Sequence, residues 1–381
     1  MKILIAPDSF KESLSALEAA NAIEAGFREI FPDAHYVKLP VADGGEGTVE
    51  ALVAAAGGRI VRLPATGPLG EPVTAFYGLT DDGASAVIEM AAASGLELVP
   101  AAERDPMRAT SRGTGELIRA ALDQGARSFI LGVGGSASND GGAGMLQALG
   151  VALLDAQGAA LSPGGAALAG LDRLDVSGLD ARLKDCVFEV ACDVSNPLVG
   201  PTGASAVFGP QKGATPAMVR QLDANLRHYA DVIARDLGCA VADVPGAGAG
   251  GGIAAAMLVF LNARLRPGSE IVADAVGLDA AVRHADLVLT GEGRIDAQSV
   301  NGKTPIGVAR VARRHGKPVI AIGGSLADDA GAVHAHGIAA TFSSVRKAGT
   351  VAEALAGAQA NLQSAARNIA AVLEVGMALG R

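Results

Sequence analysis

The sequence predicts an α/β protein with two domains, a Rossmann-like parallel-sheet domain built from both chain ends and an inserted mixed α/β domain. Three observations predict it. Short apolar runs alternate with amphipathic segments at the start and again at the end of the chain, which is the pattern of a parallel sheet with crossover helices. Between these stretches the pattern changes to short β-rich runs broken at Gly and Pro. The length, 381 residues, exceeds that of one ordinary compact domain. The expected division is residues 1–60 with 270–381, and an insert over 61–269, with a cleft between the two as the natural ligand site.

In chain order, "KILIA" reads as a buried strand, and Leu14, Leu17, Ile23, Phe27 and Ile30 then fall near helical spacing. "HYVKLPVAD" reads as a second strand and "GEGTVEALVAAAGG" as a second helix. From about residue 59, "GRIVRLPATGPLGEPVTAFYGLTDDGASAVIEM" breaks into short runs suited to antiparallel or mixed strands. "TGELIRAALDQG" reads as helix, "SFILGVGG" and "VFEVACDVSN" as strands. Met218, Leu222, Leu226, Tyr229, Ile233 and Leu237 mark an amphipathic helix. The alternation returns with "ADLVLT", "PIGVARVARRHG", "PVIAIGG" and "GIAATFSSV", followed by a last helix carrying Leu355, Leu362, Ile369 and Leu373 on one face.

Composition narrows the function classes. With a net charge of −9 there is no basic field to attract nucleic acid or anionic lipid, so an anionic ligand must be held by a few local cations, backbone amides or a metal ion. The three cysteines, Cys186, Cys192 and Cys239, form no close pair, which suits a reducing cytoplasm and gives neither a disulfide framework nor a zinc site. The opening "MKILIAPDSF" has too short an apolar run for a signal sequence, and "GIAAAMLVFLNA" is too short to span a membrane. A soluble cytoplasmic enzyme is expected.

Candidate chemistry sits in loops. "APDSFKES" and "VADGGEGT" each follow a predicted strand, which would bring Asp8, Ser9, Lys11, Asp43 and Glu46 to the carboxyl ends of the sheet. Helix capping by Ser9 or Asp43 is the plainer alternative for either residue alone. "GVGGSASNDGGAG" carries Gly134, Gly135, Ser136, Ser138, Asn139, Asp140, Gly141 and Gly142, whose amides and following helix could surround a phosphate. "CDVSNPLVGPTGAS" places Asp193 and Asn196 after a strand, a pairing suited to magnesium or to a hydroxyl proton, with Gln211 and Lys212 further on. "GEGRIDAQSVNGKTP" ends like a P-loop, but Ala297 stands where the leading glycine is needed. The P-loop is therefore rejected, while Glu292, Arg294, Asp296 and Lys303 stay as candidates. Gly246 to Gly251 formally match G-x-G-x-x-G without a preceding strand or a ribose-binding acid, so a nicotinamide oxidoreductase has weak support. The six histidines lie outside all these loops. Carboxylates, lysines and glycine-rich anion cradles without a histidine base are the parts phosphoryl transfer requires.

The set "APDSFKESLSA", "VADGGEGT", "TSRGTGEL", "GGSASNDGGAGMLQALG", "CDVSNPLVGPTGAS", "FGPQKGA", "PGAGAGGG" and "TGEGRIDAQSVNGKTPIGVA" resembles the bacterial glycerate kinase type I family over essentially the whole chain. The resemblance implies a two-domain α/β kinase that uses ATP and magnesium to phosphorylate D-glycerate, usually at the 2-hydroxyl. Phosphorylation at the 3-hydroxyl is the alternative. A sugar-acid sensor and an oxidoreductase are the rivals from other classes. Within the motifs, Asp193 is the first choice to position and deprotonate the substrate hydroxyl, with Asp8 as runner-up and Lys11 beside it. Ser9, Lys11, Arg294 and Asn196 are expected around glycerate. Gly134, Gly135, Ser136, Asn139, Asp140, Gly141, Gly142 and Lys303 are expected around the nucleotide, and Asp43, Glu292 and Asp296 around magnesium. The expected partners are ATP and the small acid, with a homodimer as one possible assembly.

Overall fold

The computed structural model describes residues 1–45, 47–300 and 303–379. Glu46 lies outside the described residues, as do Asn301 and Gly302 of the stretch "GEGRIDAQSVNGKTP". The chain divides into two compact units, one of Met1–Asp43, Glu50–Gly57 and Ser269–Arg381, the other of Gly44–Val49 and Gly58–Gly268.

The first unit holds a five-stranded sheet in the order Ala340–Ser343, Val319–Leu326, Leu287–Ile295, Lys2–Ile5 and His35–Lys38. Every neighbouring pair in it is parallel. From Lys2–Ile5 the chain crosses over to His35–Lys38 on one side, and from Leu287–Ile295 to Val319–Leu326 on the other, so the strand order reverses between the two central strands. A reversal of this kind opens the loops at the carboxyl ends and leaves a crevice there. The strands are buried: Ile3, Ile5, Leu289 and Ile322 pack with Ile23 and Phe27 of the helix Ala16–Arg28 and with Leu362 and Ile369 of the helix Ala358–Leu379. The first of these helices starts at a capping box in which Ser15 and Glu18 satisfy each other's backbone amides. It meets the second helix at Gly26, where a β-carbon would lie 2.2 Å from the carbonyl oxygen of Gln363.

The strand Leu287–Ile295 is longer than the sequence suggests. Gly291 and Gly293 read as loop residues, yet the ladder to Val319–Leu326 continues through Arg294 and Ile295. Gly291 is required inside it, because a β-carbon there would lie 2.3 Å from the carbonyl oxygen of Ile322. The glycine therefore marks close backbone approach within a strand rather than a turn.

The second unit holds a six-stranded mixed sheet in the order Arg264–Arg266, Val187–Ala191, Ser128–Gly132, Ser85–Glu89, Pro72–Leu79 and Arg59–Thr66. The first four strands run parallel and the last two pair antiparallel. Its core joins Phe129, Phe188, Leu131 and Val190 to Leu226, Tyr229 and Ile233 of the helix Pro216–Leu237. A two-stranded hairpin of Ala152–Leu154 and Arg173–Asp175, absent from the sequence-based reading, stands apart from that sheet. Among the described residues, no helix is long and apolar enough to cross a membrane.

Candidate active site

In the first unit the crevice is a cavity of about 640 Å³, lined by the carboxyl-terminal parts of the strands and by the loops that follow them. Asp8, Ser9, Lys11, Asp43, Glu292 and Lys303 are among them, and Arg294 lies at its edge. Val351, Ala354, Leu355 and Ala358 also line the cavity, so its lining is part ionic and part apolar.

Asp8 is the most constrained of these groups. Its amide donates to the Gly291 carbonyl at 2.9 Å, which fixes the residue just past the end of the central ladder. Its carboxylate accepts from the Ser9 amide at 2.6 Å and from the Thr304 hydroxyl at 2.6 Å. Burial pushes the carboxyl up to about 7, and repulsion from Asp43 and, more weakly, Glu292 adds to the rise against the two hydrogen bonds. A carboxyl balanced near neutrality is suited to accept a proton at physiological pH. The loop that follows carries Lys11, exposed, beside Glu12, whose φ of 64° is a left-handed conformation rare for a residue with a side chain.

Glu292, Asp296, Arg294 and Lys303 come together, but largely with one another. Lys303 Nζ lies 3.4 Å from Glu292 and 3.9 Å from Asp296, and Arg294 Nε lies 3.5 Å from Asp296. Glu292 also accepts from the Ser299 hydroxyl at 2.5 Å, and burial raises its carboxyl above the usual range in spite of these partners. Asp296 spends one oxygen on the Gln298 amide at 3.0 Å. Among the described residues, no group of three or more histidine, cysteine or acidic side chains is placed to hold one metal ion.

In the second unit the parallel strands end level with one another, at Glu89, Gly132, Ala191 and Arg266. The loops leaving that edge carry the other sequence candidates. Gly134 and Gly135 are exposed, and a β-carbon on Gly134 would meet nothing within 4 Å. From Ser136 onward the loop is buried. Asn139 donates to the Ser205 hydroxyl at 2.9 Å. Asp140 accepts from the Ser111 amide and hydroxyl and from the amides of Gly142 and Gly144. Gly141 donates to the Gly251 carbonyl at 3.1 Å. The back half of the loop is thus held by its own bonds, and its exposed donors are at Gly134 and Gly135.

Asp193 is exposed and accepts from the Gly268 amide at 3.1 Å. Asn196 donates to the Thr202 carbonyl at 2.8 Å, which ties down the turn that Pro197 begins. The G-x-G-x-x-G match is a packing element: a β-carbon on Gly251 would lie 2.0 Å from the Ser138 carbonyl oxygen, and one on Gly248 2.2 Å from that of Pro197. Of two further groups, Glu89 is not anticipated from sequence, and Lys212 is marked there beside the Asp193 loop without a role. Glu89, 7 % exposed at the same sheet edge, accepts from the Val49 amide at 2.9 Å. Lys212, 2 % exposed, donates to the Ser136 hydroxyl and to the Ser138 carbonyl at 2.7 Å each.

A parallel sheet with acids and lysines at its switch point, together with a glycine loop at the edge of a second sheet, defines a phosphotransferase-type α/β enzyme, and the chain belongs to the glycerate kinase family, whose model matches residues 3–374. It is 62 % identical over 377 residues to the glycerate 2-kinase of Escherichia coli strain K12, covering 99 % of both chains. It is 58 % identical to the glycerate kinase of Bacillus subtilis strain 168, covering 98 % of both. A crystal structure assigned as glycerate kinase 2 from Salmonella typhimurium LT2 superposes with a TM-score of 0.92 at 60 % identity, covering 99 % of each chain.

Proposed function

We infer that this chain transfers the γ-phosphoryl group of ATP to D-glycerate, at the 2-hydroxyl, giving 2-phosphoglycerate and ADP. The observation that carries the reading is the 62 % identity to a glycerate 2-kinase across 99 % of both chains. The site chemistry supports it, since phosphoryl transfer is chiefly a matter of positioning and of neutralising charge.

Within this reading Asp8 accepts the proton of the reacting hydroxyl, its carboxyl near 7 and its orientation fixed by Ser9 and Thr304. Asp193, the first choice from sequence, is the alternative in this role; it is exposed and accepts from the Gly268 amide. Lys11, Ser9 and Arg294 would hold the glycerate carboxylate, since a small acid offers a charge as its main handle. Gly134, Gly135 and Ser136 would hold phosphate oxygens. Magnesium suits the hard carboxylate oxygens of Asp43 and Glu292 in the first unit, whose charges add to the burial that raises Asp8, because this ion takes few direct carboxylates and keeps several waters. Asp43 and Glu292 would hold the ion, with water and phosphate oxygens completing its shell. When bound, it would offset the charge of the transferred group.

The test is phosphorus NMR of the purified protein with magnesium, ATP and D-glycerate. A 2-phosphoglycerate resonance is expected. A 3-phosphate would reverse the regiochemistry, and ATP left intact would overturn the kinase reading.

A further inference from the structure

Lys212 is a buried amine without an anion beside it. It ends the short turn Pro210–Lys212, and Gly213 then takes φ 92° so that its backbone can lie against Arg104, where a β-carbon would be 2.5 Å from the Arg104 carbonyl oxygen. That turn drives the lysine stem inward. Among the described residues no carboxylate lies within 4 Å of its ammonium. Its two acceptors, Ser136 Oγ and the Ser138 carbonyl, are neutral, and an ammonium has three protons to place. A buried charge without a counter-ion is costly, so such an amine holds its proton weakly until an anion supplies the missing partner.

The surroundings are short of acceptors in the same way. Ser138 Oγ, fully buried, and Arg104 Nε have no hydrogen-bond partner. Among the described residues no acceptor takes the amides of Gly134, Gly135 or Ser136. The nearest ionisable neighbour, Asp140, has its oxygens committed to Ser111, Gly142 and Gly144. Tyr229 on the helix behind the loop is also buried, with its hydroxyl unpartnered. Arg104 and Asp105 are the charged groups on the segment behind Gly213, and the Asp105 carboxylate accepts from the Met107 amide at 3.0 Å.

We propose that Lys212 is the ammonium of a small-oxyanion site, in which a carboxylate or phosphoryl group lands on the exposed amides of Gly134 and Gly135 and on the Ser136 hydroxyl, and so supplies the charge that Lys212 lacks. The proposal rests on the kinase reading only in that such an enzyme handles both kinds of oxyanion. Burial pulls the ammonium down to about 7, with Asp140 a small opposing influence. An arriving anion favours the charged form, so above pH 7 its capture draws in a proton, and affinity falls by up to about tenfold per pH unit until the pKa of the bound state is reached. A lysine that merely braced the loop would show neither effect.

The experiment is isothermal titration of the intact protein at pH 8.5 in buffers of different ionisation enthalpy. D-glycerate serves as the carboxylate probe and sulfate as a phosphoryl stand-in that does not titrate. Asp8 also titrates near neutrality, so only the difference between wild type and Lys212→Met counts. Uptake of close to one proton per ligand in the wild type, absent in Lys212→Met together with an affinity loss of about 10- to 100-fold, is expected. The probe that shows the Lys212-dependent uptake identifies the anion. Equal affinity and equal proton uptake in the two proteins, or no Lys212-dependent uptake with either probe, overturns the proposal. If Lys212→Met does not fold, Ser136→Ala replaces it and is expected to weaken the same probe. Turnover of ATP with D-glycerate, measured on the same wild-type preparation, separates failure of this site from failure of the kinase reading.

Discussion

Replacing Asp8 with Asn removes a charge that the fold opposes. The carboxyl rises from 3.8 to about 7 on folding, roughly three units, and each unit corresponds to about 1.4 kcal/mol. Because the folded pKa lies above the unfolded one, folding takes up a proton between these values. Stability is therefore lost as pH rises from about 4 to about 7, by roughly 4 kcal/mol in all, and is level above that. Asn keeps the acceptor for the Ser9 amide but weakens the contact with the Thr304 hydroxyl, a pH-independent cost of about 1 kcal/mol. The variant should thus be slightly less stable than the wild type near pH 4 and more stable by about 2–3 kcal/mol at pH 8, with the two curves crossing between. Urea unfolding over this range, in magnesium-free buffer, measures it. A difference between the two proteins that stays constant with pH would refute the placement of a neutral-poised carboxyl at position 8. Turnover in the same variant should drop by orders of magnitude in spite of the gain in stability.

Asp193→Asn is expected to lower kcat by orders of magnitude with an unchanged unfolding midpoint if Asp193 orients the hydroxyl; a near-wild-type kcat in steady-state assays leaves that role to Asp8. Lys11→Met or Arg294→Met should raise KM for D-glycerate while sparing KM for ATP, and if neither does, the substrate carboxylate is held elsewhere. Gly26→Ala should destabilise by about 1–3 kcal/mol, seen in thermal unfolding, because its β-carbon meets the Gln363 carbonyl at 2.2 Å across a helix pair.

The strand ends were the legible part of the site. Asp8, Asp43 and Glu292 could be picked out because each follows an apolar run, and the carboxyl ends of parallel strands converge wherever the strand order reverses. What the sequence hides is how donors and acceptors are spent. Asp140 looks like a ligand residue among glycines, but it closes the start of its own helix and ties it to Ser111. Glu292, Asp296, Arg294 and Lys303 read as separate ligands for metal and substrate, whereas their side chains neutralise one another first. Lys212 stood out in sequence without a role, because lysine is almost never fully buried and nothing in "FGPQKGA" signals that the turn points it inward. The extra length of the strand Leu287–Ile295 was hidden for a related reason. Glycine normally punctuates a loop, and only the neighbouring strand's carbonyl shows why it is needed at 291.

The position of Lys2–Ile5 between His35–Lys38 and Leu287–Ile295 has a consequence for biosynthesis. When the first strand leaves the ribosome, one of its two edges has no partner until nearly three hundred further residues have been made. At about 5–20 residues per second that is a delay of roughly 15–60 s. During it, the apolar "KILI" and the helix behind it lack the carboxy-terminal helix that covers them. The second unit, contiguous but for one short segment, can meanwhile condense while still tethered. Until the delay ends, the first strand and its helix keep apolar surface exposed that the finished sheet and helix pair cover.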